Sequence, residues 1–402
     1  MLKLFNTMGR KLEVFRPVNR KVVNMFTCGP SVYQRSHIGN FRTFLFEDIL
    51  VRYLEYRGYK VLRGMNFTDV EDKAYKAARE EKTAMRQLTE RNIRAFCREM
   101  TLLRMQTPDY LPRASEHVDR AVDIIQQLLK KGIAYWYRGN VYFDPLKFSG
   151  FGKLYGLDMS RWPKRKVRFH KDTYPGMRWN LGDFILWHGA SNGAWDTAIG
   201  RGRPSWNIQD PSMVSDYFDE TLSIYCGGID NLFRHHDYSI AILESVRPYP
   251  MARFWLHCHH LHVNGKKMSK SIGNIIYTDT LKKQGYSLSE IRFFLIYGHY
   301  RSLLNFSAEA MRSTAEKLRA LKKQIRSIER KTKKRTSKTG EPGNRIEKVF
   351  RGKMDNDLNV KAAFDGIYDM VMSIDSAALK QSEAAGIIAA LKNIDEVLRV
   401  MF

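Results

Sequence analysis

The segment SHIGN at residues 36–40 contains side chains that suit phosphate binding. It follows a short apolar run, Lys21–Cys28, and precedes a stretch with helical periodicity. Free backbone N–H groups and the helix dipole favour phosphate at such a junction, and Gly39 lets the backbone approach a ligand closely. His37 and Asn40 can donate hydrogen bonds to phosphate oxygens. Taken alone, the motif is explained about as well by a structural turn.

A second motif, KMSKS at residues 267–271, lies much further along the chain. Lys267 and Lys270 can surround a polyphosphate as mobile point charges, with Met268 and Ser269 between them. A solvated basic loop would explain this motif alone. Both motifs in this order make coincidence a poor explanation, and together they indicate a site for a nucleotide polyphosphate.

The elements that must position the first motif form a β–α–β unit. The apolar run Lys21–Cys28 predicts a buried strand, Phe41–Arg57 repeats apolar residues at helical spacing, and Tyr59–Phe67 predicts a second strand. Thr68 or Asp69 is predicted to cap the helix that follows. A strand, a helix and a strand of these lengths imply a parallel sheet.

The middle of the chain predicts an insertion into that sheet domain. Ala114–Lys131 has the pattern of an amphipathic helix, with Ser115 as its cap, and Ile133–Asp144 predicts a hairpin. Residues 145–203 are rich in Gly, Trp, Arg and Lys and show little periodicity. We therefore expect an irregular insertion between two halves of a sheet.

The composition is that of a globular protein that binds a polyanion. Of 402 residues, 44% are hydrophobic and 27% charged, and no apolar run is long enough to span a membrane. Four cysteines are too few for a disulfide scaffold, and no secretory signal is recognisable, so a cytoplasmic location is predicted. The net charge of +25 favours a nucleic-acid partner, although a generally basic proteome would also explain it.

The C-terminal part of the chain predicts helices from Ser307 onward, with a break near residues 336–344. Residues 316–338 are strongly basic, which is typical of contact with an RNA backbone. Apolar residues still recur at helical spacing in this stretch, so one face should pack against the protein. A solvated basic helix is the alternative.

A histidine-rich stretch at residues 256–263 (LHCHHLHV) precedes the second motif. Alternation along a strand would place its polar residues on two faces: Cys258, His260 and His262 on one, His257 and His259 on the other. We favour a structural or substrate-facing role for them over a metal site.

The two motifs resemble those of class I aminoacyl-tRNA synthetases, and within that class the chain resembles the cysteinyl-tRNA synthetase family. The matching segments cover nearly the whole chain: TCGPSVY at 27–33, HIGNFRTF at 37–44, NFTDVEDK at 66–73, PRASEH at 112–117, GDFILW at 182–187, GGID at 227–230, FRHH at 233–236, GHYRSLL at 298–304 and MDNDLN at 354–359. The resemblance implies an α/β fold, a Rossmann-type parallel-sheet catalytic domain split by an insertion and followed by a C-terminal α-helical bundle. The expected units are the catalytic halves at 1–114 and 204–255, a connective insertion at 115–203, a connector with the KMSKS loop at 256–303, and an α-helical tRNA-binding-like domain at 304–402.

The resemblance also implies a reaction. An amino acid, cysteine or a related one, would be activated by ATP and Mg²⁺ to an aminoacyl-adenylate with release of pyrophosphate, and then transferred to tRNA. The implied catalytic residues are His37, Asn40, Lys267 and Lys270. The implied ATP site contains His37, Gly39, Asn40, Gly228, Asp230, Met268, Ser269 and Lys270. The implied amino-acid site contains Cys28, Thr68, Trp206, Tyr225 and Asp230.

Members of this family resemble one another in binding zinc through two Cys, one His and one Glu, and the metal ligates the substrate thiolate. Cys28 and His235 stand at two of these positions, whereas Asp210 replaces the second Cys and Ser239 the Glu. Three interpretations stay open. Asp210 ligates zinc with Cys28 and His235; or the metal is lost and the pocket holds a different amino acid; or Cys226 supplies the missing ligand.

Two other functions compete with aminoacylation of tRNA. One is a tRNA-independent ligase that transfers the amino acid to a small amine, as in the mycothiol-pathway enzyme that resembles this family. The other is a non-catalytic RNA-binding paralogue. The chain ends at Phe402, before the small anticodon-binding module that relatives commonly carry, which favours the small-amine ligase. The positive charge favours tRNA, and we expect a monomer without membrane contact.

Overall fold

The computed structural model describes residues 1–158, 183–189, 193–269, 272–332 and 339–402. The strands in these ranges are Lys3–Asn6 (β1), Lys11–Val14 (β2), Val22–Thr27 (β3), Lys60–Met65 (β4), Ala134–Tyr137 (β5), Asn140–Phe143 (β6), Phe184–Gly189 (β7), Gly202–Pro204 (β8), Leu222–Gly228 (β9), Ala252–Cys258 (β10), Leu261–Val263 (β11), Lys266–Lys267 (β12) and Leu304–Phe306 (β13). The α-helices are Ile38–Tyr56 (α1), Asp72–Glu80 (α2), Met85–Leu102 (α3), Val118–Lys130 (α4), Trp206–Tyr217 (α5), Tyr238–Val246 (α6), Thr278–Lys283 (α7), Leu288–Ile296 (α8), Ala308–Glu329 (α9), Gly340–Met354 (α10), Val360–Met372 (α11) and Gln381–Leu398 (α12).

The centre of the fold is a parallel sheet in the spatial order β10–β9–β3–β4. The predicted β–α–β unit is confirmed as β3, α1 and β4. Along β9, Tyr225 packs into one apolar cluster and its neighbour Cys226 into another, because side chains alternate across a strand. Tyr225 lies between Phe26 and Trp255 of the adjacent strands, with ring centroids 5.7 and 4.7 Å away. This aromatic row joins three strands below the site.

The insertion is more regular than the sequence predicts. The hairpin β5–β6 is confirmed, and β7 and β8 extend it into a four-stranded antiparallel sheet in the order β5–β6–β7–β8. The expectation of an irregular segment over residues 145–203 is therefore wrong at β7 and β8, whereas residues 145–158 contain only a short 3₁₀ turn and other turns, as expected. Residues 159–182 and 190–192 lie outside the described ranges.

Both predicted helix caps in this region are wrong. Helix α2 begins at Asp72 after Glu71, and not after Thr68 or Asp69. Helix α4 begins at Val118, after a short 3₁₀ turn that contains Ser115. The reason is one long-range contact: the Asp69 carboxylate accepts hydrogen bonds from both the backbone N–H and the hydroxyl of Ser115, at 2.9 and 2.6 Å.

The histidine-rich stretch is not one strand. Strand β10 ends at Cys258 and β11 starts at Leu261, so the predicted sharing of faces between Cys258, His260 and His262 is wrong. The chain bends here because the His259 side chain accepts a hydrogen bond from the next backbone N–H, at 2.9 Å.

The predicted C-terminal helical bundle is confirmed as α9–α12, and α10 begins at Gly340, inside the predicted break. The apolar face predicted for α9 is buried through Leu318, Leu321, Ile325 and Ile328. All four cysteines are free thiols. Within the described ranges, no helix combines the length and apolar character needed to cross a membrane.

Candidate active site

A cavity of about 950 Å³ opens at the carboxyl ends of β3, β4 and β9. Ligands of open parallel sheets bind at such an edge. Most of the residues that the sequence singled out line this one cavity: Cys28, His37, Gly39, Asn40, Thr68, Trp206, Gly228, Asp230, Lys267, Met268 and Ser269. Lys270 lies outside the described residues.

The His37 segment forms the first turn of α1. The His37 imidazole accepts a hydrogen bond from Gly39 N–H through Nδ1 at 3.1 Å, and Asn40 Oδ1 accepts one from His37 N–H at 3.0 Å. This reciprocal capping fixes both side chains at the mouth of the cavity. Burial lowers the pKa of His37 to about 4, so the ring is neutral near pH 7. With Nδ1 accepting, Nε2 carries the proton and can donate it to a ligand.

The Lys267 segment lies directly opposite. A turn at Asn264 and Gly265, both with positive φ, leads into β12 and the exposed Lys267 side chain. Met268 reaches across to α1: a Cβ on Gly39 would come within 2.6 Å of its Cε. Glycine at position 39 therefore lets the Met268 side chain lie directly on the first turn of α1.

Two adjacent glycines at the end of β9 make room for functional side chains. A Cβ on Gly228 would lie 2.7 Å from the Asp230 carboxylate, and one on Gly227 would lie 2.7 Å from the His236 ring and 3.3 Å from Cys28 Cβ. Asp230 thus lies over bare backbone at the cavity wall. This is the physical reason for two glycines in the GGID motif.

Cys28 and Trp206 form the inner end of the cavity. Asn231 Nδ2 lies 3.4 Å from Cys28 Sγ, and the indole of Trp206 stacks on His235 with ring centroids 4.1 Å apart and planes within 8°. Trp206 therefore lies between the open cavity and the fully buried His235.

Asp210 is buried behind this end and is held by several donors. Its carboxylate accepts hydrogen bonds from Tyr225 hydroxyl at 2.5 Å, His235 Nε2 at 2.9 Å and Asn66 Nδ2 at 3.0 Å. Burial disfavours the carboxylate, but the electrostatic attraction of His235 and the hydrogen bonds from His235 and Tyr225 outweigh it and hold the pKa of Asp210 below its usual range. Burial, followed by the charge of Asp210, raises the pKa of the neighbouring Cys28 thiol.

Three buried side chains could hold a metal ion. One donor atom each of Cys28, His235 and His236 lies within 4.8 Å of the other two. Among the described residues, His235 Nδ1 and His236 Nε2 are buried nitrogens without a hydrogen-bond partner. Buried imidazole nitrogens without partners are costly unless something binds them, so this donor set fits a zinc ion.

The other nitrogen of each imidazole is already engaged. His235 Nε2 bonds to Asp210, while His236 Nδ1 lies 2.8 Å from His257 Nε2, whose own Nδ1 lies 2.9 Å from the Thr7 hydroxyl. Metal-binding histidines commonly have such a partner, which fixes the ring and the tautomer.

This arrangement alters the predicted metal set. His236, which the sequence analysis missed, joins Cys28 and His235, and Asp210 contacts the ring of His235 from behind. Ser239 donates to the His235 carbonyl at 2.7 Å and does not face the cluster. Cys226 packs into the apolar cluster on the opposite face from Tyr225, so it is not placed to replace a ligand.

Further cavity residues were also missed: Tyr33, Arg35, Lys73, Asn231 and Arg234. Each lies within a few residues of a motif, and the charges of Lys73 and Arg234 agree with an anionic ligand. His260 lines the cavity, as a substrate-facing role requires, whereas His257 is buried away from it.

Comparison with known proteins identifies relatives that match the whole chain. The family model described as "tRNA synthetases class I (C) catalytic domain" matches residues 14–316. A cysteine--tRNA ligase from Chlamydia muridarum is 35% identical over 421 residues, covering 100% of this chain and 88% of the relative. One from Koribacter versatilis is 36% identical over 409 residues, covering 100% and 82%.

Solved structures share the fold at low sequence identity. Mycobacterium tuberculosis methionyl-tRNA synthetase in complex with methionyl-adenylate has a TM-score of 0.66 at 16% identity, covering 95% of this chain and 90% of that one. The LeuRS-tRNA-LeuAMS ternary complex of Agrobacterium radiobacter K84 has a TM-score of 0.65 at 12% identity, covering 96% and 85%. With the parallel sheet and the family match, these findings show that the chain belongs to the cysteine--tRNA ligase family of the class I aminoacyl-tRNA synthetases.

Proposed function

We propose that this protein activates cysteine with ATP and transfers it to tRNA. The observation that carries the proposal is that both nucleotide-type motifs and Cys28 line one cavity, while the buried His235 and His236 each bring a nitrogen within 4.8 Å of the Cys28 sulfur. The motifs provide contacts for ATP, and the Cys–His–His cluster provides a site for a substrate thiol. The positive charge of the chain and the exposed basic side chains Arg312, Lys323 and Arg326 on α9 support a tRNA partner.

The ATP end works by positioning and by neutralising charge. The substrate carboxylate attacks the α-phosphorus of Mg²⁺-bound ATP, and the bond to the bridging oxygen breaks as pyrophosphate leaves. Neutral His37 would donate from Nε2 to a phosphate oxygen, and the amide of Asn40 would do the same. Lys267, with Lys270 from outside the described residues, would stabilise the charge of the leaving pyrophosphate.

The amino-acid end recognises two groups. Asp230, over the bare backbone of Gly228, would accept hydrogen bonds from the substrate ammonium. Thr68 and Trp206 would enclose the short side chain. Cys28, His235 and His236 would hold zinc, and a zinc ion supplies a fourth position that binds a thiolate far better than a hydroxyl.

ATP–pyrophosphate exchange across the twenty amino acids, with metal content measured on the same preparation, tests the proposal. We expect exchange with cysteine and about one equivalent of zinc. Exchange only with another amino acid and no zinc would refute the choice of cysteine. Absence of exchange with every amino acid would refute adenylation. Charging of a tRNA mixture with radiolabelled cysteine then separates tRNA from small-amine acceptors.

A matched pair of variants tests the phosphate contacts. Lys270→Ala is expected to lower exchange by about 100-fold or more, as the loss of a transition-state charge contact does. Lys331→Ala removes a lysine just after α9, away from the cavity lining, and should leave exchange unchanged. Full activity of Lys270→Ala would contradict the assignment of the second motif.

A further inference from the structure

The two ATP-site segments are joined at both ends of the second motif. On its N-terminal side, the Met268 side chain contacts Gly39. On its C-terminal side, the backbone N–H of Ile38 donates to the carbonyl of Ile276 at 3.0 Å. Residues that follow the motif are thus attached to the first turn of α1. Asn274, two residues before Ile276, donates from Nδ2 to the Lys267 carbonyl at 3.2 Å, so this segment is joined to Lys267 as well as to α1.

Arg35 adds a further attachment between the first motif and the start of α7, and every nitrogen of its guanidinium takes part. Its Nε donates to Glu99 Oε1 at 2.7 Å and its Nη2 to the same oxygen, while Nη1 donates to Asp279 at 2.9 Å. The guanidinium carbon also lies 4.9 Å from the centre of the Tyr277 ring. One side chain therefore contacts α3, the cap residue of α7 and the first turn of α7.

Glu99 connects Arg35 to the first residue of α7. Its second oxygen accepts a hydrogen bond from the buried hydroxyl of Thr278 at 3.1 Å, so Glu99 holds Arg35 and the start of α7 simultaneously. The Glu99 side chain is 3% exposed, whereas that of Asp279 is 51% exposed. An ion pair as exposed as Arg35–Asp279 adds little stability, but its geometry still restricts where α7 begins.

We propose that Arg35 is a positioning residue for ATP activation. With Glu99 and Asp279 it fixes the start of α7, and hence the Lys267 side of the site, at the correct distance from His37. Its effect on phosphate contacts is exerted through backbone placement, which makes it distinct from the groups that touch ATP. The proposal rests on ATP occupying this cavity.

The test compares Arg35→Gln, Asp279→Asn and Arg319→Gln. Arg319 is the matched control, because it pairs with Glu290 at 2.6 Å in the helical region and does not line the cavity. We expect Arg35→Gln to raise the KM for ATP by about 10-fold, with the KM for the amino acid changed by less than about two-fold. Asp279→Asn should raise the KM for ATP in the same direction, and Arg319→Gln should not.

Conservative replacement and direct binding sharpen the result. Arg35→Lys should restore part of the ATP affinity, since an ammonium can pair with one carboxylate but cannot bridge two as the planar fork does. Affinity for a non-hydrolysable ATP analogue, measured by calorimetry, should fall from the wild type to Arg35→Lys and again to Arg35→Gln. This measurement needs no amino acid. It therefore distinguishes failure of this proposal from failure of the proposed substrate.

Three results would overturn the proposal. Unchanged ATP affinity in Arg35→Gln would show that Arg35 does not position the ATP site. An effect in Arg35→Gln without any in Asp279→Asn would make Arg35 a direct ATP contact. Equal losses of ATP and amino-acid affinity, accompanied by a fall in Tm, would make its role purely structural.

Discussion

Replacing Gly227 with alanine should disrupt the candidate metal centre while leaving every donor residue in place. Gly227 lies in β9, where its backbone is not in the left-handed region, so alanine is tolerated by the backbone itself. The added Cβ would lie 2.7 Å from His236 Cε1, 3.0 Å from its Nε2 and 3.3 Å from Cys28 Cβ. Since carbon atoms in contact prefer about 3.5–4.0 Å, the His236 ring must move by several tenths of an ångström or more.

The size of the effect follows from how strictly zinc distances are held. Ligand distances in zinc sites vary by only about 0.2 Å, which is less than the shift that the new methyl group demands. We therefore expect zinc affinity to fall by at least about 10-fold, as it does when the partners that orient ligands are lost. Overpacking should also cost about 1–3 kcal/mol in the free energy of unfolding.

Competition with a chromogenic chelator measures zinc affinity, and cobalt substitution reports the ligand field of the site. Gly352→Ala is the matched control, because a Cβ there meets nothing within 4 Å and alanine favours its helix. Unchanged zinc affinity in Gly227→Ala, with the protein folded, would refute the participation of His236.

Other perturbations test the site and its surroundings. Tyr225→Phe removes the 2.5 Å hydrogen bond to the buried Asp210 carboxylate and should lower the free energy of unfolding in urea by about 1–3 kcal/mol; no loss would contradict that contact. Burial raises the pKa of Glu71 from its ordinary 4.5 to about 7, so its stabilising contribution is present below pH 4.5 and is lost as the pH rises to 7. Unfolding of Glu71→Gln should therefore depend less on pH between 5 and 8 than that of the wild type. Exchanging both Lys323 and Arg326 for Gln should weaken tRNA binding and reduce the slope of log K against log salt concentration by about one to two; an unchanged slope would exclude this face of α9 from the tRNA contact.

The sheet and its first helix were predictable because their signals are local. Apolar residues predominate in the run before Cys28, as they do in a strand that is largely buried on both faces. Glycine at position 58 then ends α1 with φ of +85°, which other residues rarely adopt. The helix caps were not predictable, since Asp69 and Ser115 have local roles available to them and use neither. They bond to each other across 46 residues of chain.

The candidate metal centre also contains residues that the sequence predicted and one that it did not. Cys28 and His235 were expected because they stand at two ligand positions of the family that the chain resembles. His236 was not, since adjacent residues on a regular α-helix point about 100° apart. Here both histidines lie in a π-helical turn, Leu232–Asp237, and the absence of a side chain at Gly227 opens the space that the His236 ring enters. The position of His236 beside Cys28 thus depends on the π-helical turn and on the end of β9 together, and neither segment alone predicts it.

A zinc ion held by the proposed donors Cys28, His235 and His236 would favour a thiol substrate on electrostatic grounds. Two thiolates and a carboxylate, as in the family pattern, would make a zinc site negative, whereas one thiolate and two neutral imidazoles would leave it positive. A positive site favours an anionic fourth ligand, and the thiolate of cysteine can be one near neutral pH, while the hydroxyl of serine cannot. Asp210 offsets part of that charge from behind His235, at 2.9 Å from its Nε2. The loss of the second cysteine therefore strengthens the case for a substrate that brings its own sulfur.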